Sequence, residues 1–181
     1  MPDRTDFELV KDFLNGNESA FNKIVGKYQK RVYWHALRML GNHLDADEVT
    51  QEVMIVMYQK LNTFNYQSSL FTWIYRITTT RSINYIKKKN VKRFLRIDDE
   101  DVKELSGKSD LVHDVEDREK LNKLNDVLQK LPVKQREVFI MRNFDQLSYE
   151  EIAEIKQKSV GAMKANYFHA LKKVTEYMSN D

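Results

Sequence analysis

From Phe21 to Met39 the apolar residues Phe21, Val25, Tyr28, Val32, Ala36 and Met39 recur every three or four positions. That spacing lines one face of a long α-helix. Nothing interrupts it until Gly41. The whole chain is as sparsely punctuated, with five glycines and two prolines in 181 residues. Chains that turn often need more of both, so long helices are expected rather than a turn-rich β fold. After "GNHLD" the pattern restarts, with Asp45 as a candidate N-cap. Ala46, Val49, Val53, Val56 and Leu61 carry a second helix, and a third is expected from about Leu70 toward Lys89.

Charge divides the chain. Residues 1–97 carry 16 Lys and Arg against 9 Asp and Glu, residues 98–119 carry 3 against 10, and residues 120–181 carry 11 against 8. Two basic blocks flank an acidic stretch, and basic blocks suggest a polyanionic partner. The acidic stretch lacks aromatics and helical periodicity. It is expected to be a linker over residues 98–118, flexible at least over Asp98–Asp110. The expected architecture is all-α: two small helical domains, residues 1–97 and 119–181, joined by that linker.

Cysteine is absent. This excludes disulfides and thiolate metal sites within the chain and fits a reducing, cytoplasmic setting. No apolar run approaches the ~20 residues of a membrane span, and no signal peptide is expected. The four histidines have no ligand spacing, and no phosphate-binding glycine loop or nucleophile motif is present. The residues therefore point to no catalytic group, metal or cofactor.

Three stretches carry binding chemistry. "DADEVTQEV" places Asp45, Glu48 and Glu52 on one side of a helix, suited either to a basic partner helix or simply to solvent. "FNYQSSLFTWIYRITTTR" threads six hydroxyls among five rings and is followed by Lys87, Lys88 and Lys89. Rings, hydroxyls and a basic tail suit single-stranded nucleic acid; a core helix behind a sticky loop is the plainer alternative. In it Trp73, Ile74 and Ile77 read as core, and Thr72, Arg76, Thr79 and Ile83 share another face.

The last block steps through Leu121, Leu124, Leu128 and Leu131 to Pro132, then "VKQREVFIMRNF". "LSYEEIAEI" follows, with Ser148 and Glu151 spaced as a capping box. A final helix after Ser159 has an apolar face of Val160, Met163, Tyr167, Leu171, Val174 and Met178. Ala162, Ala165, Asn166, His169, Lys172 and Lys173 lie opposite. A short capped helix, a brief turn and a helix with small and polar residues outward describe a helix-turn-helix, or an ordinary hairpin with a basic face. In the first case Asn166 and His169 reach base edges and Lys172 and Lys173 reach phosphates.

In this order the motifs resemble the extracytoplasmic-function sigma factors of bacterial RNA polymerase. "DADEVTQEVMIVMYQKLNTFNYQSSLFTWIYRI" is similar to the family's second region, and "LPVKQREVFIMRNFDQLSYEEIAEIKQKSVGAMKANYFHALKK" to its fourth. The resemblance implies core RNA polymerase, promoter DNA and an anti-sigma factor as partners, and no catalysis by this chain. It implies that Asp45, Asp47, Glu48, Gln51 and Glu52 dock on the polymerase. It places Asn65, Tyr66, Ser68, Ser69 and Thr72 on the loop that captures a flipped −10 base. Thr72, Arg76, Thr79 and Thr80, with Lys87 and Lys88 beyond, belong to the helix that follows −10 DNA. Ser159, Ala162, Lys164, Ala165, Asn166, His169, Lys172 and Lys173 belong to the helix that reads the −35 element. Tyr66 stands where the family often has glycine, and His169 where it often has arginine, so the promoter sequence read does not carry over. An autonomous helix-turn-helix regulator is the alternative, and it leaves the first block without a role.

Overall fold

A computed structural model describes residues 5–95 and 115–179, with side chains from Asn122 onward in the second stretch. The described residues form eight α-helices and no strand. The first four are α1 (Asp6–Leu14), α2 (Glu18–Leu40), α3 (His43–Lys60) and α4 (Leu70–Leu95), with a 3-10 turn at Leu61–Thr63. The last four are α5 (Val115–Lys130), α6 (Val133–Asn143), α7 (Tyr149–Lys156) and α8 (Val160–Ser179). The expected linker falls almost wholly outside the described residues, and α5 already begins within its last residues.

Local signals set the helix ends. Thr5 and Glu8 form a capping box at α1, and Ser148 and Glu151 form the expected one at α7. The cap of α3 is Asn42, not Asp45: the Asn42 side chain accepts from the Asp45 backbone N–H, which makes Asp45 a first-turn residue. Gly41 ends α2 at φ 73°. The left-handed backbone favours glycine, and a Cβ there would stand 2.8 Å from the Gln129 side-chain amide and push it aside.

Three apolar clusters form. The first holds α1 to α4 together around Ile24, Val32, Val49, Val53, Leu61, Leu70 and Ile74. The other two draw on both halves of the chain. Met39, Leu40, Ile83 and Ile86 pack with Val127, Leu128, Leu131 and Ile140. Phe71 and Tyr75 pack with Val138, Met141, Ile152 and Ile155. Helices α5 to α7 thus lie directly against α2 and α4.

Polar contacts across this junction gather at the C-terminus of α2, where helix carbonyls lack intrahelical donors. Gln129 Nε2 donates to the Arg38 carbonyl at 3.1 Å and Arg136 to the Met39 carbonyl at 2.6 Å. The buried Arg136 guanidinium also reaches the Gln129 and Leu131 carbonyls. A cation suits the negative end of the helix dipole. Nearby, His35 Nδ1 lies 2.7 Å from Asp145 Oδ2, with both side chains buried.

Candidate polymerase and nucleic-acid interfaces

Helix α3 is apolar on two sides. Ala46, Val49, Val53, Val56 and Met57 face the core. Away from it Leu44 is 78% exposed and Ile55 56%; Tyr58 is half-exposed, its ring packed on Phe13 and Phe21 and its hydroxyl donating to Glu18 at 2.9 Å. With Glu48 and Gln51 between them, these residues step by four, three, four and three. They make a continuous stripe on the helix surface. Sequence reasoning singled out the charges of this stripe and missed its apolar members, although the spacing of Leu44, Ile55 and Tyr58 was there to be read.

The expected acidic residues are not equivalent. Asp47, Glu48 and Gln51 are exposed. Asp45 is largely occupied: Lys89 Nζ donates to it at 2.8 Å and Tyr85 Oη at 2.7 Å. Burial, then the Asp45 hydrogen bond and charge, push the Tyr85 phenol pKa up, so this hydroxyl stays a donor. Glu52 accepts from Arg81 at 2.7 Å. These contacts tie α3 to α4, as does Tyr85 Oη donating to Glu48 at 3.2 Å, and they leave Asp47 and Gln51 as outward polar groups beside the exposed but bridged Glu48.

The loop between the 3-10 turn and α4 is ordered by its own side chains. The Gln67 backbone N–H donates to Asn65 Oδ1 at 3.2 Å, and Asn65 Nδ2 donates to Gln67 Oε1 at 3.0 Å. This turn carries Tyr66 at φ 60°, a left-handed backbone that glycine adopts freely and a tyrosine rarely does. Ser69 closes the loop by capping α4: its Oγ accepts from the Thr72 backbone N–H and donates to the Thr72 hydroxyl, both at 3.0 Å. Ser69 is therefore a structural cap as well as a loop hydroxyl. Asn65, Tyr66 and Ser68 keep accessible surface.

On α4 the expected DNA-reading side chains divide. Thr72 is 4% exposed and Thr79 2%. Arg76 donates to the Glu154 carbonyl near the end of α7 at 2.9 Å. Thr80, Lys87 and Lys88 are exposed, with the Thr80 hydroxyl donating to the Arg76 carbonyl. The structure thus gathers Asn65, Tyr66, Ser68 and Ser69 at an open loop, buries Thr72 and Thr79, and ties Arg76 to α7.

Helices α7 and α8 form the expected helix-turn-helix. Gln157 stands at φ 52° and Lys158 N–H donates to the Ala153 carbonyl at 3.0 Å, which closes the end of α7. Ser159 caps α8 through the Ala162 N–H. Lys164, Ala165, His169 and Lys172 are exposed; Ala162, Asn166 and Lys173 are half-buried. Asn166 Nδ2 donates to the Ala162 carbonyl of its own helix, which leaves its Oδ1 for an outside donor. The apolar face of α8 differs from expectation at Leu171, which is exposed beside Phe168, while Ala170 is fully buried in its place.

Two family descriptions match this chain: sigma-70 region 2 over residues 24–91 and sigma-70 region 4 over residues 121–174. The chain is 33% identical over 162 residues to the ECF RNA polymerase sigma factor SigW of Bacillus subtilis (strain 168), covering 86% of this chain and 87% of that protein. It is 31% identical over 180 residues to the ECF RNA polymerase sigma-E factor of Escherichia coli (strain K12), covering 92% and 90%. Among solved structures, CnrH in complex with the cytosolic domain of CnrY superposes with a TM-score of 0.72 at 20% identity, over 98% of this chain and 99% of that one. The sigma factor RpoE of Bartonella quintana, solved with the anti-sigma factor NepR, gives 0.67 at 20% identity, over 89% and 98%. These last two likenesses concern the fold. With both regions in order and this identity over most of its length, the chain belongs to the extracytoplasmic-function sigma factors of the sigma-70 family.

Proposed function

We propose that this sigma factor docks on core RNA polymerase through the outer stripe of α3, captures a melted −10 base with the loop at Asn65–Thr72, and reads −35 duplex with α8. The observation that carries the first step is the double-sided apolarity of α3. A helix that has already buried one face keeps Leu44 and Ile55 exposed on the other, with Asp47, Glu48 and Gln51 beside them. Such a stripe fits a partner helix with apolar and basic residues. The chain contributes no catalytic group of its own and works in the cytoplasm, where the polymerase supplies the chemistry. A relative solved with an anti-sigma factor supports a protein of that kind as a further partner.

The test replaces Ile55 by Asp and Glu48 by Lys, singly and together. Both side chains are outward, so folding by circular dichroism should be nearly unchanged. Capture of core polymerase should fall with each substitution and fall furthest in the pair. Wild-type affinity in the pair would refute the docking surface. Ser68→Leu tests the second step, because it spares the Ser69 cap. That variant should bind polymerase yet fail to open duplex promoters, read by permanganate reactivity of unpaired thymines.

A further inference from the structure

Two aromatic rings stand open beside the loop at Asn65–Thr72, and one comes from the far end of the domain. Phe7 of α1 is 47% exposed and Tyr66 is 46% exposed. Their centroids are 5.4 Å apart and their planes meet at 71°. Beneath both lies buried Phe64, 4.9 Å from Tyr66 and 6.1 Å from Phe7, itself backed by Trp73 at 5.8 Å. The buried rings fix the exposed ones, so the platform is preorganised rather than collapsed.

Tyr66 bears a bulky side chain at φ 60°, where glycine would be unstrained. The Asn65–Gln67 hydrogen bonds hold that backbone. Strain of this kind persists where surrounding structure imposes it, and it gathers at binding sites. Lys11 is exposed one turn after Phe7, at a spacing that puts both on one face of α1. A ring corner with an adjacent cation is what a nucleotide requires: a base stacks on a ring face while its phosphate meets the ammonium. Because DNA is already a partner of this family, the occupant is nucleic acid rather than an unspecified apolar surface.

We infer that Phe7 and Tyr66 form a stacking platform for an unpaired base of the non-template strand next to the one held by the loop, with Lys11 on its phosphate. The inference rests on the loop's role in base capture. It adds α1, which the sequence motifs do not include, and it gives the strained tyrosine a task.

The experiment uses the full chain assembled with core RNA polymerase, on a promoter selected by run-off transcription and given a pre-melted −10 bubble. The fluorescent base 2-aminopurine is placed at successive non-template positions. One position beside the captured base should be quenched by stacking in the wild type. Tyr66→Gly and Phe7→Leu should each restore its fluorescence and weaken bubble binding by roughly 5- to 100-fold, the range expected for losing one base–aromatic stack. Tyr66→Gly relieves backbone strain, so its melting temperature should not explain the loss. Unchanged quenching in both variants would overturn the platform. So would weaker holoenzyme assembly by Phe7→Leu without DNA, which would make the rings a protein contact. If Ser68→Leu abolishes opening while both ring variants behave as wild type, the platform fails and base capture stands. If Ser68→Leu is also silent, base capture itself fails.

Discussion

Single residues in left-handed backbone mark where this chain departs from the easiest solution. Gln157 ends α7 at φ 52°, and the turn of a helix-turn-helix is a place where glycine would do so without a Cβ penalty. Gln157→Gly is expected to stabilise the chain by about 0.5–1 kcal/mol, the strain released less the extra entropy of the unfolded glycine. A thermal melt checks the sign, and a lower midpoint would mean that the glutamine side chain makes a contact worth more than the strain. Gly41 is the reverse case. Its φ of 73° and the 2.8 Å approach to Gln129 make Gly41→Ala unfavourable on both counts. The variant should lose about 1 kcal/mol or more from the backbone alone, seen as a lower melting midpoint. It should also displace Gln129 from the Arg38 carbonyl, and hence loosen α5 from α2.

Elements were legible in the sequence wherever periodicity and caps agreed. The breaks at Gly41 and Pro132, the Ser148–Glu151 box and the inward face of α3 all follow from residue type and spacing. The misses have physical causes. Asp45 and Asn42 are both good caps three residues apart, and only the backbone geometry chooses Asn42. Leu171 matched the apolar period of α8, but a stripe drawn from spacing cannot tell where the neighbouring helix ends, and Ala170 takes the buried place. The outer residues of α3 are not found by periodicity, which locates one apolar face of a helix and is silent on isolated apolar residues opposite it. Helix α4 shows the same limit. Its Thr72 and Thr79 are polar residues expected to face DNA, yet tertiary packing buries them. Their burial is set by tertiary packing, which no local pattern encodes.

At the scale of the molecule, the two halves share apolar clusters, and this sets a condition on function. Arg76 is tied to the Glu154 carbonyl of α7, so on its proposed role it can meet DNA only after α7 leaves α4. On the proposed −10 role of α4, closure and DNA engagement compete, and whatever weakens closure should favour DNA by linkage. The His35–Asp145 contact offers a way to weaken closure alone. His35 packs its ring 5.4 Å from Tyr75, and it is Asp145, just after α6, that satisfies its Nδ1. Its Nε2 already has no partner among the described residues. In Asp145→Ala the buried imidazole loses its remaining hydrogen bond, at a cost of about 1–3 kcal/mol while the halves stay packed. Once they separate, water solvates the ring and that cost disappears. The variant should show a larger radius of gyration by small-angle X-ray scattering. Without polymerase it should also bind a single-stranded non-template −10 oligonucleotide more tightly than wild type does. Arg76→Ala removes another of the ties between the halves but also a group expected on the DNA, so it should expand the chain without that gain. If Asp145→Ala leaves both the scattering and the affinity at wild-type values, the packing of α7 on α4 does not control access to the −10 loop and helix.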